Sequence, residues 1–264
     1  MPERIGGMDH FFWLFDQKAK LQNVHIDWFF PNAATHGSYA ELTIIASDFE
    51  NVEHYFLKHT TQHATHYTTI YTHFVELCSP VFKEIKQLTQ AKIIAVDHNP
   101  RPSGGYSFRK KIEKKVKGFL YSRYIDQFVC VSKKTKRQCI QDFGFLIKRK
   151  TSVVFNGLPV ASFQQKTSFT SFTSFVIASH LRKEKGIQDV IAAVRLVTKY
   201  VSVPFTITIF GEGYYELELK KQIAAAGLDA YFIFKGSVQN LAELYQDYDY
   251  LIHPSHGETF CYTV

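Results

Sequence analysis

Three short stretches gather side chains that chemistry could use, and each follows an apolar run. In ASHLRKEKG (178–186), His180, Arg182, Lys183 and Lys185 come after a strand-like segment and before a helix-like one. Cations at such a point can bind phosphate oxygens, and the start of a helix adds backbone N–H donors. A charge-assisted hydrogen bond contributes roughly 1.5–3 kcal/mol, so two or three would hold a diphosphate; a solvated basic loop is the alternative. In FGEGYY (210–215), Gly211 and Gly213 let the backbone turn tightly into the next element, which a structural need alone also explains. In HPSHGETF (253–260), Glu258 follows a Pro-Ser turn. Near exposed N–H groups its carboxylate could accept hydroxyl hydrogen bonds from a sugar, or it could neutralise a helix N-terminus. In the other half of the chain, IAVDHNPRP (94–102) closes a strand-like run on Asp97 and His98, and IYTHF (70–74) includes His73.

The elements that must position these residues alternate regularly. Strand-like runs occupy 24–30, 42–46, 70–74, 92–96, 126–131 and 152–155, and helix-like stretches fill 8–22, 48–58, 79–89, 109–123 and 133–142. Ser79 before Pro80 reads as a helix cap with proline at the first helical position, and Ser132 as a second cap. The rhythm breaks at 161–174, ASFQQKTSFTSFTS, which is nearly without charge and reads as a connection; an edge strand is its rival reading. Strands at 175–178, 205–210, 231–234 and 249–253 then alternate with helices at 187–200, 214–226 and 238–246. This order predicts an α/β chain of parallel βαβ units. Two Rossmann-like domains are expected to face each other across a cleft, with domain 1–160, linker 161–174 and an incomplete domain 175–264. Ligands in such sheets sit at the carboxyl ends of the strands.

Composition bounds the rest. With 45% hydrophobic residues the chain can bury a core and is not a disordered polymer. A net charge of +7 favours anionic partners without choosing among them. The four cysteines, Cys78, Cys130, Cys139 and Cys261, form no C-x-x-C pair, so a reduced compartment is the simplest reading. No apolar run approaches the roughly 18–20 residues of a membrane span, and the first residues, MPERIGGMDH, lack the apolar core of a signal peptide. The expectation is a cytoplasmic protein, with the inner membrane face as a peripheral location.

Competing constellations carry less. His59, His63, His66 and His73 lie close together, and the first two are four apart, a spacing that could bind metal on a helix. The threonine-rich surroundings read instead as a polar loop leading into a strand. Asp247 and Asp249 make a formal D-x-D, with Asp249 read as a turn residue. The basic runs 109–118, 133–137 and 148–150 read as solvated faces, with an anionic membrane surface as the alternative and nucleic acid unsupported by any motif.

Taken in order, VVFNGL (153–158), LRKEKG (181–186), FGEG (210–213), FKGSV (234–238) and DYDYLIHPSHGETF (247–260) resemble the nucleotide-binding half of retaining glycosyltransferases of family four, which have the GT-B fold. The resemblance covers about Ser152 to Val264. It implies that Glu258 contacts a hydroxyl of the donor sugar, that Thr259, Phe260 and Cys261 meet the sugar and diphosphate, and that Lys185 neutralises the diphosphate, with Gly211 and Gly213 also on the donor. Two departures stand out. The family has arginine five residues before that lysine, where this chain has His180; Arg182 is the candidate substitute. The second Glu of the family's E-x7-E motif would fall two positions beyond Val264, which suggests a chain cut short. The first half resembles the acceptor domain more loosely. Gly6 and Gly7 match a glycine loop near the donor phosphates, and His98 a strand-end histidine near sugar and acceptor. FVCVSKKTKRQCIQDFG (128–144) matches a strand-to-helix segment.

The implied activity is transfer of a sugar from a nucleotide-diphosphate donor, with retention, to a glycan or lipid-linked acceptor. Catalytic roles fall to His98 and Glu258. No cofactor or metal beyond the donor substrate is expected. The rivals are a non-catalytic nucleotide-binding module of the same fold and a basic nucleic-acid-binding α/β protein.

Overall fold

A computed structural model describes residues 7–158, 160–168 and 172–263 of the chain. The chain divides into two compact units, Met1–Gly157 and Leu158–Val264.

In the first unit, helix α1 (Gly7–Lys20) precedes a parallel pair of strands, β1 (Asp27–Phe30) and β2 (Thr43–Ala46). The aromatic rows of α1 and β1 explain their union: Phe12, Trp28 and Phe30 are buried together with Tyr39 and Leu42. Two buried carboxylates on α1 are satisfied across this interface. Asp16 accepts from Trp28 Nε1 at 2.8 Å, and Asp9 accepts from the Tyr39 hydroxyl. Helix α2 (Val52–His63) then leads to a four-stranded parallel sheet of β3 (Thr69–His73), β4 (Lys92–Asp97), β5 (Gln127–Cys130) and β6 (Thr151–Val153), in that spatial order. Helices α3 (Val81–Leu88), α4 (Phe108–Tyr121) and α5 (Lys133–Phe143) connect the strands. Strand β4 is buried on both faces from Ile93 to Asp97, as a central parallel strand must be. Its Ile93 and Ala95 join Phe82, Phe128, Cys130 and Ile147 in the main core.

Side-chain caps start three of the described helices: Asn51 before α2, Ser107 before α4 and Ser132 before α5. Ser132 caps α5 as its sequence suggests: its hydroxyl accepts from Thr135 N, and Thr135 Oγ1 accepts from Ser132 N, a reciprocal capping box. Ser79 does not cap α3. The residue before the helix is Pro80, with helical dihedrals, and the Ser79 hydroxyl is buried without a hydrogen-bond partner in the structure. The threonine-rich stretch expected as loop is helical as far as His63. Asn51 caps that helix by accepting from His54 N at 2.9 Å, and Phe56 and Thr60 bury one face, which outweighs the low propensity of threonine.

The second unit carries β7 (Ser174–Ala178), β8 (Thr206–Phe210), β9 (Phe232–Gly236) and β10 (Tyr250–Leu251), all parallel, in the spatial order β10-β7-β8-β9. Helices α6 (Ile187–Val197), α7 (Glu216–Ala225) and the short α8 (Leu241–Leu244) link them. Period-two alternation divides the sheet's side chains. Ile177, Ile207 and Ile209 join one core with Ile187, Ile191 and Leu219, and Val176, Ala178 and Phe210 face a second layer with Leu241 and Tyr245. Each fully buried isoleucine stabilises this packing by roughly 1.5–3 kcal/mol.

Residues 169–171 of the stretch read as a connection lie outside the described residues, and its Phe163 and Lys166 pack within the second unit. Phe163 stacks on Tyr245 with ring centroids 6.2 Å apart, and Lys166 Nζ reaches Asp249 Oδ1 at 2.6 Å. Asp249 also accepts from Ser174 N and Oγ, both at 2.9 Å, so its carboxylate pins the entry of β10 to the start of β7. Three donors on one carboxylate give it a structural place and hold its pKa below the usual carboxylate value, led by the bond from Lys166.

Candidate functional site

The strand order of the second unit fixes where a ligand could bind. β7, β8 and β9 run outward in sequence order, and β10 returns to the other side of β7. The order therefore reverses between β7 and β10, and in such sheets ligands bind beyond the carboxyl ends of the strands at this switch point. The loop after β7 carries His180 to Lys185, and the loop after β10 carries His253 to Glu258.

These two loops meet. Lys185 Nζ donates to Glu258 Oε1 at 2.6 Å, with side chains 22% and 27% exposed. His253 Nε2 lies 3.3 Å from the same oxygen, and Cys261 Sγ lies 3.3 Å from His253 Nε2. Burial alone would push the Glu258 carboxyl up; the hydrogen bonds from Lys185 and Ser255, with the Lys185 and His253 charges, outweigh it and leave the carboxyl below its ordinary value. Glu258 is thus an anion held by the Lys185 ammonium, with half-buried Thr259, Phe260 and Cys261 following it. Cys261 adopts a left-handed backbone, φ 73°, at this bend. The backbone also ties the loops together: His256 N donates to Glu184 O at 3.0 Å, and His256 Nε2 sits 2.6 Å from Asp189 Oδ2.

Glycines make this close approach feasible. Gly211 has φ 126°, and a Cβ there would run into the carbonyl of Ser179; one on Gly213 would meet the carbonyl of Leu181. The predicted G-x-G therefore packs against the basic loop itself, with Leu181 N donating to Glu212 O at 3.0 Å. Gly186, at φ 74°, similarly lies against the Pro254 carbonyl.

Of the residues singled out in the sequence, Lys185, Gly211, Gly213 and Glu258 to Cys261 gather in this region. His180 and Arg182 are exposed on the same loop as Lys185. Gly6 lies outside the described residues; Gly7 begins α1.

His98 belongs to the first unit, just past the end of β4. It is 6% exposed, and its Nε2 is 2.9 Å from His73 Nδ1 at the end of β3. Phe11, Phe12 and Phe74 surround the two imidazoles. Burial lowers His98 to about 4 against the opposing pull of Asp97, and burial with the neighbouring imidazole lowers His73 to about 3. Both rings are neutral at physiological pH. Below them Asp97 is 1% exposed and receives a two-pronged bond from Arg101, 2.8 Å to each oxygen, while Arg101 Nε reaches Asp142 at 3.0 Å.

Several partners were not evident from sequence. His253 sits five residues before Glu258 at a strand end, a signal of the same kind that marked His98. Arg101 had none beyond its place four residues after Asp97. Among the described residues two groups bring three candidate metal ligands together: His253, Glu258 and Cys261, and the buried set Asp97, Cys130 and Cys139. In the first, Lys185 already occupies Glu258 Oε1; in the second, the Arg101 guanidinium covers both Asp97 oxygens.

The α/β fold with parallel sheets matches that of GT-B glycosyltransferase structures. Residues 161–264 match the family described as "Glycosyl transferases group 1". Anabaena Alr3699/HepE, solved in complex with UDP, superposes with a TM-score of 0.72 at 16% identity, over 100% of this chain and 75% of that one. The lipopolysaccharide outer core galactosyltransferase WaaB, in its apo form, gives 0.67 at 16% identity, over 98% of this chain and 73% of that one. In sequence, the chain is 28% identical over 144 residues to the GtfA subunit of the UDP-N-acetylglucosamine–peptide N-acetylglucosaminyltransferase of Streptococcus gordonii. That match takes in 53% of this chain but only 28% of the curated relative's length.

Proposed function

We propose that this chain transfers a sugar from a nucleotide-diphosphate donor to a glycan or lipid-linked acceptor with retention at the anomeric carbon, as a cytoplasmic glycosyltransferase of cell-surface or lipid-linked glycan synthesis. The observation that carries this reading is the 2.6 Å pairing of Lys185 with Glu258 where the strand order reverses. It sets a phosphate-binding cation beside a hydroxyl-binding carboxylate in the crevice where α/β sheets take nucleotides. The match of residues 161–264 to a glycosyltransferase family and the UDP complex of the Anabaena protein support it.

In this reading the bond between the anomeric carbon and the diphosphate oxygen breaks as charge builds on the departing diphosphate. Lys185, Arg182 and the backbone N–H groups of the loops stabilise that charge, the electrostatic preorganisation on which such transfers depend. The acceptor hydroxyl forms its new bond on the same face of the sugar, and its proton passes to the leaving phosphate oxygen. Glu258 holds a sugar hydroxyl. His98, neutral and buried, orients the sugar or acceptor and does not serve as a base. No cofactor beyond the donor enters this scheme. Among the described residues no helix is long and apolar enough to cross a membrane.

Titration calorimetry with UDP, GDP and ADP, followed by turnover with the matching nucleotide sugars, tests the reading. Binding of one nucleoside diphosphate with release of product on adding acceptor is the expected result. Binding without turnover would leave a nucleotide-binding module, and preference for a polynucleotide, lost with salt, would replace the reading altogether.

A further inference from the structure

Helix α4 has two faces of opposite character. Its inward face carries Lys110, Glu113, Lys114, Lys117 and Gly118. The lysines there are matched by acids: Lys110 and Lys117 pair with Glu113, Lys117 also with Glu76, and Lys114 with Asp142. Gly118 is buried so tightly against the Phe143 backbone that a Cβ would strike its carbonyl. This face docks α4 onto the unit.

The outward face carries five exposed apolar side chains: Phe108 at 78%, Ile112 at 49%, Val116 at 49%, Phe119 at 71% and Leu120 at 41%. Their spacing of three, four or one places them on one side of a helix. The other exposed residues are Arg109, Lys111 and Lys115. The helix has one acid, Glu113, and it lies on the inward side between two lysines. Single exposed apolar residues are ordinary, whereas a contiguous set on one helix face marks an interaction surface. Apolar side chains flanked by cations and free of acids fit an anionic lipid surface: rings enter the acyl boundary while lysine stems lie along it with their ammonium groups at the phosphates.

We infer that the outward face of α4 is a membrane-docking surface that binds bilayers containing anionic phospholipids, lying in the plane of the interface. The inference stands apart from the proposed transfer activity, and its test needs no nucleotide.

The test is co-sedimentation of the full chain with vesicles of phosphatidylcholine containing about one part in three of phosphatidylglycerol, an anionic lipid of the kind that attracts basic surfaces. Pure phosphatidylcholine vesicles are the comparison. Binding to the first and not the second is expected. Lys111→Gln with Lys115→Gln should weaken binding about 25-fold, at roughly fivefold for each lysine near the surface. Phe108→Ser with Phe119→Ser should weaken it about tenfold or more through lost apolar burial. All four side chains are exposed, so circular dichroism should be unchanged. Arg195→Gln with Lys199→Gln, both exposed in the second unit, removes the same charge without altering α4 and should leave binding within about twofold. Three results would overturn the inference: no binding of the parent chain, an equal loss in the control variant, or self-association abolished by the phenylalanine variant while vesicle binding stays intact. The last would make the face a protein interface.

Discussion

Replacing Lys185 by methionine keeps the stem of the side chain and deletes its charge. In the free protein that charge is already engaged, 2.6 Å from Glu258 in a partly solvated pair. A diphosphate entering the crevice would gain a charge-assisted bond to the ammonium, roughly 1.5–3 kcal/mol. It would also have to share or displace Glu258, giving back the roughly 0.2–1 kcal/mol of a partly exposed pair. The net loss on Lys185→Met is therefore about 1–2 kcal/mol, a fivefold to thirtyfold rise in the dissociation constant at about 1.4 kcal/mol per decade. Titration calorimetry at constant ionic strength with a nucleoside diphosphate, and with the bare nucleoside as control, measures it. The nucleoside should bind both proteins equally. An unchanged constant for the diphosphate, or an equal fall for the nucleoside, would remove Lys185 from phosphate binding and the central argument with it.

Further predictions rest on the same geometry. Glu258→Gln should leave bare diphosphate binding unchanged or tighter, because it frees Lys185 and removes a repelling charge, while weakening the nucleotide sugar by about 1 kcal/mol through a poorer hydroxyl acceptor; competition titration separates the two, and equal losses would contradict the assigned role. Arg101→Met should cost about 3–5 kcal/mol in urea unfolding, since it abandons buried Asp97 and the nearby Asp142 without their shared cation. The His73–His98 pair makes stability pH-dependent with a definite sign: both pKa values are lowered on folding, so the unfolded chain binds more protons below pH 6.5 and stability falls as pH drops from there toward 3. For His98 alone, a descent from 6.5 to about 4 corresponds to about 3 kcal/mol; His73→Phe with His98→Phe should flatten that part of the profile. Gly211→Ala should lose about 1–3 kcal/mol from strain at φ 126°, with the Ser179 carbonyl in its way, and thermal unfolding would show it.

The order of elements was legible because alternation of apolar runs and amphipathic stretches is a local property, and capping at Ser132 needs only a neighbour three residues on. Local reasoning failed where distant packing decided. The threonines before His63 argue against a helix, but Asn51 and the burial of Phe56 and Thr60 hold one. Ser79 has the residue type of a cap, but Pro80, with helical dihedrals, stands at the cap position. In the site, the basic loop and Glu258 were readable as chemical types, and the motif resemblance linked them. Their direct contact spans 73 positions and follows from β10 returning beside β7, which no local pattern encodes. The Arg101–Asp142 pair spans 41 positions and was invisible for the same reason.

The contact between the His73 and His98 rings links two hydrogens that would otherwise be placed separately. With both imidazoles uncharged, only one ring can donate across the 2.9 Å gap. If His73 Nδ1 carries the hydrogen, His98 must keep its own on Nδ1; if His98 Nε2 carries it, His98 Nδ1 is bare and His73 is protonated on Nε2. A ligand group that needs a lone pair at His98 Nδ1 therefore rewrites the tautomer of the ring on the neighbouring strand as well. The two histidines behave as a single two-state element, and nitrogen chemical shifts of both should move together when either is engaged.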